Sequence, residues 1–220
     1  MIQRLLYLLS LLLISLVCFG QDPAHGWMSY AVGDISSTGA DRITRLEMKW
    51  KVNNYPKKRS SAFFSPWFGM DTRDNKNLIQ PVSPYFGYSH DADTVYPLEG
   101  AYAAYTEYYQ WQPTHNKNSE MISATPGNVL HGSLVYTKNT DSYVLVIMNL
   151  ATGDSTQQIV KAQNNKKYTI PYVVYEKTWP CDEYPPDELI SFHDIVIECD
   201  FKDCTKEVRV FFLFFPSDCF

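Results

Sequence analysis

From Ile43 to Val52 the chain reads Ile-Thr-Arg-Leu-Glu-Met-Lys-Trp-Lys-Val, and Leu46, Met48, Trp50 and Val52 alternate with Arg45, Glu47, Lys49 and Lys51. A period of two is that of a β-strand, in which successive side chains point to opposite faces, so this segment buries one face and wets the other. Such a strand suits an antiparallel sheet packed on a second sheet. Nowhere does the sequence sustain a helical period, and the 13 prolines are scattered so that a long helix has little room. The 16 Tyr, 12 Phe and 5 Trp point the same way, because rings pack well on a pleated, half-buried surface.

Further strands are expected over residues 61–68, 78–82, 101–111, 129–136, 142–150, 157–162, 172–175, 189–199 and 207–215. Turn signals separate nearly all of them, among them Pro126-Gly127-Asn128, Thr152-Gly153-Asp154 and Asn164-Asn165. Many short strands with turns between them predict an all-β sandwich, and residues 21–220 suffice for one such domain. No linker or repeat divides it. With 45% hydrophobic and 20% charged residues, the composition excludes a disordered chain.

Residues 1–20 read as a secretory signal peptide: a short basic start at Arg4, an apolar run over residues 5–17, and small residues near Gly20. The expected location is therefore extracellular, with no membrane span, since a span needs about 20 apolar residues. The full chain carries 19 basic and 24 acidic residues. Loss of Arg4 leaves 18 against 24, a formal charge of -6, which opposes a nucleic-acid partner. Cys18 leaves with the signal, and Cys181, Cys199, Cys204 and Cys219 remain. An even count in a secreted chain predicts two disulfides, with three pairings open. His90-Asp91-Ala92-Asp93 lacks the further ligands and spacing of a metal site and reads as a solvated loop. Lys57-Lys58-Arg59 reads as a wet loop. No Gly-x-Ser-x-Gly elbow is present.

Several stretches, in order, are similar to a known family. Trp67-Phe68-Gly69-Met70-Asp71 resembles a Trp-x-Gly-x-Asp motif, Leu78-Ile79-Gln80 a Leu-Gln segment, and Tyr109-Gln110-Trp111-Gln112-Pro113 a Tyr-Glu-Trp-Tyr-Pro motif. Met148 to Ser155 resembles a Glu-Asn-Leu-Thr-Thr-Gly-Gln-Ser hairpin, Tyr172-Val173-Val174-Tyr175-Glu176 a Glu-Trp-Ile-Val-Glu strand, and residues 189–194 a Leu-Val-x-Phe-x-Asp motif. Together with Trp27 to Val32, which resembles an opening strand, these identify a likeness to the glutamic peptidases, or eqolisins, over residues 26–200.

That resemblance implies a concanavalin-like sandwich of two curved antiparallel sheets and a secreted acid endopeptidase. Glu176 is then the general base and later the general acid, and Gln80 the donor to the oxyanion. Trp67, Asp71 and Trp111 are the implied substrate-binding residues. The implied partner is a polypeptide bound by a monomer, with no cofactor and no metal. Pro84 and Gln110 stand where the family has acids, and Glu107 lies close to the second of these. The alternative from another class is a non-catalytic concanavalin-like module that binds glycan or peptide in a ring-lined groove.

Overall fold

The structure is a computed structural model that describes residues 27–57, 61, 63–88, 98–162, 166–178, 189–200, 204 and 209–214. In chain order its strands are β1 (Trp27–Asp34), β2 (Ile43–Lys51), β3 (Phe63–Thr72), β4 (Asn77–Val82), β5 (Tyr85–Phe86), β6 (Ala101–Trp111) and β7 (Thr114–Asn118). They continue with β8 (Ile122–Ala124), β9 (Val129–Thr137), β10 (Ser142–Asn149), β11 (Ser155–Lys161), β12 (Tyr168–Thr178), β13 (Phe192–Cys199) and β14 (Arg209–Phe214). Apart from two 3-10 turns, no helix occurs among the described residues, and so none is long and apolar enough to cross a membrane.

One sheet has nine strands, in the order β14-β1-β12-β3-β4-β6-β5, with β7 and β8 also paired to β6. The other has five, in the order β11-β10-β9-β2-β13. Strand pairing is antiparallel throughout, and the two sheets face each other as a sandwich, the fold class expected from the alternation. The period-two strand behaves as its pattern dictates: Leu46, Met48 and Trp50 of β2 are buried between the sheets, while Arg45, Glu47 and Lys49 form ion pairs on the outside.

The space between the sheets holds Leu134, Leu145 and Ile147 from the smaller sheet against Phe64, Phe68, Met70, Ile79 and Tyr108 from the larger. Full burial of each large apolar side chain contributes about 1.5–3 kcal/mol before entropy is counted. Trp50 crosses this layer, meeting Phe68 edge to face at 5.7 Å and donating its indole N–H to Ser83 Oγ at 2.8 Å, so its one polar atom is satisfied.

The central strands are longer than their sequence signals. β3 continues past Phe68 to Thr72, and β12 extends well beyond residues 172–175. Short β5, β7 and β8 were not expected; β7 reads Thr-His-Asn-Lys-Asn, is exposed throughout, and exists by pairing with β6. Of the cysteines, Cys199 and Cys204 form a disulfide with Cα atoms 5.8 Å apart. Cys181, Cys219, the signal segment, the His90–Asp93 cluster, Lys58 and Arg59 lie outside the described residues.

The sheets approach each other closely at Gly132 of β9. A Cβ there would lie 2.6 Å from Pro81 Cγ and 2.7 Å from Phe68 Cε1, inside any real contact. Gly132→Ala is therefore expected to destabilise the fold by about 1–3 kcal/mol, the usual cost of overpacking. The measurement is the urea unfolding midpoint, and a midpoint equal to the parent's would refute such close approach.

Candidate active site

The nine-stranded sheet carries a second apolar cluster on its outer face, away from the smaller sheet. Trp67 of β3, Leu78 and Val82 of β4, Tyr105 of β6, and Tyr172 and Val174 of β12 are buried in it. Because side chains alternate, residues two along from these share that face. Gln80 therefore lies between Leu78 and Val82, Glu107 follows Tyr105, and Glu176 follows Val174. Trp27 and Tyr30 of β1 join the same cluster although their spacing is odd, because the register shifts between Trp27 and Ser29.

Gln80 is 5% exposed and is seated by its neighbours on both sides. On β3, the pairs Trp67 with Val82 and Met70 with Ile79 bring Gly69 opposite Gln80. A Cβ on Gly69 would lie 2.9 Å from Gln80 Cβ and 2.6 Å from the Ile79 carbonyl oxygen, so only glycine leaves Gln80 its place. On the other side Gln80 pairs directly with Glu107 of β6. Its Nε2 donates to Glu107 Oε2 at 2.6 Å, while Gln80 Oε1 is buried with no hydrogen-bond partner. Glu107 Oε1 accepts in turn from Asn116 Nδ2 of β7.

Glu176 stands on β12, in register with Ser65 of β3 and Trp27 of β1. The Trp67 indole N–H donates to Glu176 Oε2 at 3.0 Å, and Trp67 itself packs edge to face with Trp27 at 5.1 Å. Burial raises the Glu176 pKa above the usual carboxylate value; the indole bond opposes this and the negative charge of Glu107 adds to it. The Tyr105 phenol is also pushed up, by burial first and then by the charges of Glu107 and Glu176. Glu107 thus acts electrostatically on Glu176, and both act on one phenol. Gln80 and Glu176 share this face but make no hydrogen bond to each other.

The remaining expected residues sit as follows. Trp67 is 1% exposed, and its indole N–H is engaged by Glu176. Trp111 is partly exposed beside Tyr109, with ring centroids 4.8 Å apart, and does line the outer face. Gln110 has the opposite parity from Glu107, and its Oε1 accepts from Tyr108 Oη and Asn77 Nδ2, so an acid at that position would not lie on this outer face. Glu107 is the acid that does. Its signal in the sequence was its parity with Tyr105 and Trp111. Pro84 lies past the end of β4, where its carbonyl accepts from the Ala103 N–H. Among the described residues no group of three or more His, Cys, Asp or Glu could hold a metal ion.

Asp71 is 1% exposed, and one carboxylate oxygen accepts from the N–H groups of Thr72 and Asn77, fastening the turn from β3 to β4. Those bonds favour its charge, but burial prevails and raises its pKa from 3.8 to about 7. The folded state then holds this proton more tightly than the unfolded chain. Stability from this group is full below about pH 3.8 and is lost as pH rises through 7. About three units corresponds to roughly 4 kcal/mol. Asp71→Asn keeps the acceptor and removes the charge, so it is expected to be more stable than the parent at pH 8 and to narrow the gap between pH 4 and pH 8. Denaturant midpoints at the two pH values test this.

Residues 31–171 match the profile of the peptidase A4 family, more than half of the 220-residue chain. A search of curated protein sequences returns no match. Among solved structures, the chain is similar to scytalido-glutamic peptidase with a transition-state analogue inhibitor, with a TM-score of 0.58, 16% identity, and coverage of 85% of this chain and 87% of that one. It is also similar to SCP-B, a member of the eqolisin family of peptidases in complex with the tripeptide Ala-Ile-His, with a TM-score of 0.54, 15% identity and the same coverage. At this identity the likeness shows a shared sandwich fold, and the profile match supplies the family. The chain belongs to the peptidase A4 family, the eqolisins, a family of peptide-bond hydrolases.

Proposed function

We propose that this chain is a glutamic endopeptidase that cleaves polypeptides in the acid range, acting as a secreted monomer with Glu176 and Gln80 as its working residues. The observation that carries this function is the pairing, on one face of the larger sheet, of a carboxylate held by an indole N–H with a buried amide held by a second carboxylate. Secretion is supported by the apolar start of the sequence and by the disulfide between Cys199 and Cys204.

Ionised Glu176 takes a proton from a water as the water oxygen bonds to the scissile carbonyl carbon. The second N–H of Gln80 donates to the oxyanion that forms. The proton on Glu176 then passes to the leaving nitrogen as the carbon–nitrogen bond breaks, giving a free carboxyl group and a free amine. Trp67 keeps Glu176 aimed throughout, and Trp111 flanks the path of the peptide.

As a base, Glu176 works only when ionised, so the raised pKa moves the rising limb of the pH profile above that of an ordinary glutamate, about 4.3. An unshifted glutamate would have placed this limb lower. Cleavage of a denatured protein by the purified chain from about pH 2 to pH 7 is expected to show that limb. Gln80→Ala should lower kcat by about 100- to 1,000-fold, as loss of one oxyanion donor does elsewhere. Glu176→Gln should lower it by about 100- to 10,000-fold. No cleavage at any pH by a folded chain would overturn the peptidase and leave a binding sandwich in its place.

A further inference from the structure

Gln80 raises a question that the catalytic pair leaves open: what decides which end of its amide faces the substrate. The oxygen and nitrogen ends of a glutamine amide have nearly the same shape, so only hydrogen bonds select one orientation. On one side Gln80 Oε1 is buried with no partner, so nothing there selects oxygen over nitrogen. On the other side Glu107 Oε2 lies 2.6 Å from Gln80 Nε2, in direct cross-strand register. Glu107 is itself braced, because its second oxygen accepts from Asn116 Nδ2 of the neighbouring strand.

We propose that Glu107 is the positioning residue of this site, fixing the Gln80 amide with its nitrogen toward β6 so that the second N–H is left to meet the oxyanion. An ionised carboxylate only accepts, so it can bond two amide donors at once. Turning the amide over would set two oxygens 2.6 Å apart, which their like partial charges oppose. Glu107 lies outside the motifs that carry the family resemblance, and it shares the sheet face of Gln80 where Gln110 does not. This role rests on the peptidase function proposed above.

Glu107 has a second effect on the same site. Among the described residues, the titratable groups that act on Glu176 or share its field are Glu107 and Tyr105, both on β6; Trp67 on β3 and Trp27 on β1 are neutral. Negative charge on Glu107 raises the Glu176 pKa, so removing that charge lowers it.

The test compares the full mature chain with Glu107→Gln and Glu107→Ala, by kinetics, melting temperature and NMR of the Gln80 side-chain amide, assigned by its loss in Gln80→Ala. The parent should show two well-separated Gln80 amide proton resonances, one held by the carboxylate, and their separation should shrink in Glu107→Ala. Both variants should lose at least about tenfold in kcat, with KM within about threefold and melting within a few degrees of the parent. In Glu107→Gln the rising limb should also move to lower pH. A kcat within about twofold of the parent, or a loss that simply follows the fall in melting temperature, overturns the proposal. Should Glu107→Ala fail to fold, the isosteric Glu107→Gln decides by the same criteria. A parent that cleaves nothing overturns the peptidase function, yet an amide separation that shrinks in Glu107→Ala would still support placement of Gln80 by Glu107.

Discussion

Everything in the site depends on one constraint: the larger sheet is apolar on both faces at its centre. Every described residue of β4 is buried, and so is nearly all of β3. A polar side chain on such strands has no water to turn to and must find its partners within the protein. Gln80 finds one in Glu107, Glu176 in Trp67, and Asp71 in the backbone of its own turn. The scarcity of alternatives makes each arrangement definite. On an exposed sheet the same residues would bond solvent and point in many directions.

The same burial separates three carboxylates by task. Asp71 is buried deepest and closes a hairpin, holding a proton to near neutrality. Glu176 is only partly covered and keeps one indole donor, so its affinity for protons rises without the group being lost to solvent-free packing. Glu107 sits at the rim, takes two amide donors, and acts on its neighbours through charge and orientation. Three chemically similar acids therefore differ through depth, donor count and neighbouring charge, which lets one sheet face hold a structural acid beside the proposed base and the proposed orienting group.

Much of this was legible in the sequence where a physical pattern was strong. Alternation over β2 marked a half-buried strand, β6 was foreseen from end to end, and Gln80 and Glu176 were singled out by resemblance and came to lie on one face. Other features had no local signal. The polar strand β7 carries no hydrophobic period because it is ordered entirely by its neighbour. The bulge after Trp27 reverses the parity of β1, which no spacing rule in the sequence announces. Asp71 and Trp67 were read as substrate contacts because conspicuous residues in a motif suggest direct chemistry. Both are nearly fully buried and carry a second duty that the motif did not announce, Trp67 donating to Glu176 and Asp71 accepting from its own turn. Glu107 was noted only as an acid close to Gln110, because its partner lies 27 residues away and only cross-strand register brings them together.

The smaller sheet supplies no candidate catalytic residue, yet the strand bearing Gln80 rests directly on it. Pro81, the next residue, abuts Gly132, and Ser83 accepts the indole N–H of Trp50. Gln80 is thus indexed from behind, much as a workpiece is held against a fixed stop. Substitutions deep in the other layer would then adjust the reach of an amide they never touch, giving the site a means of fine adjustment that leaves its own side chains unchanged.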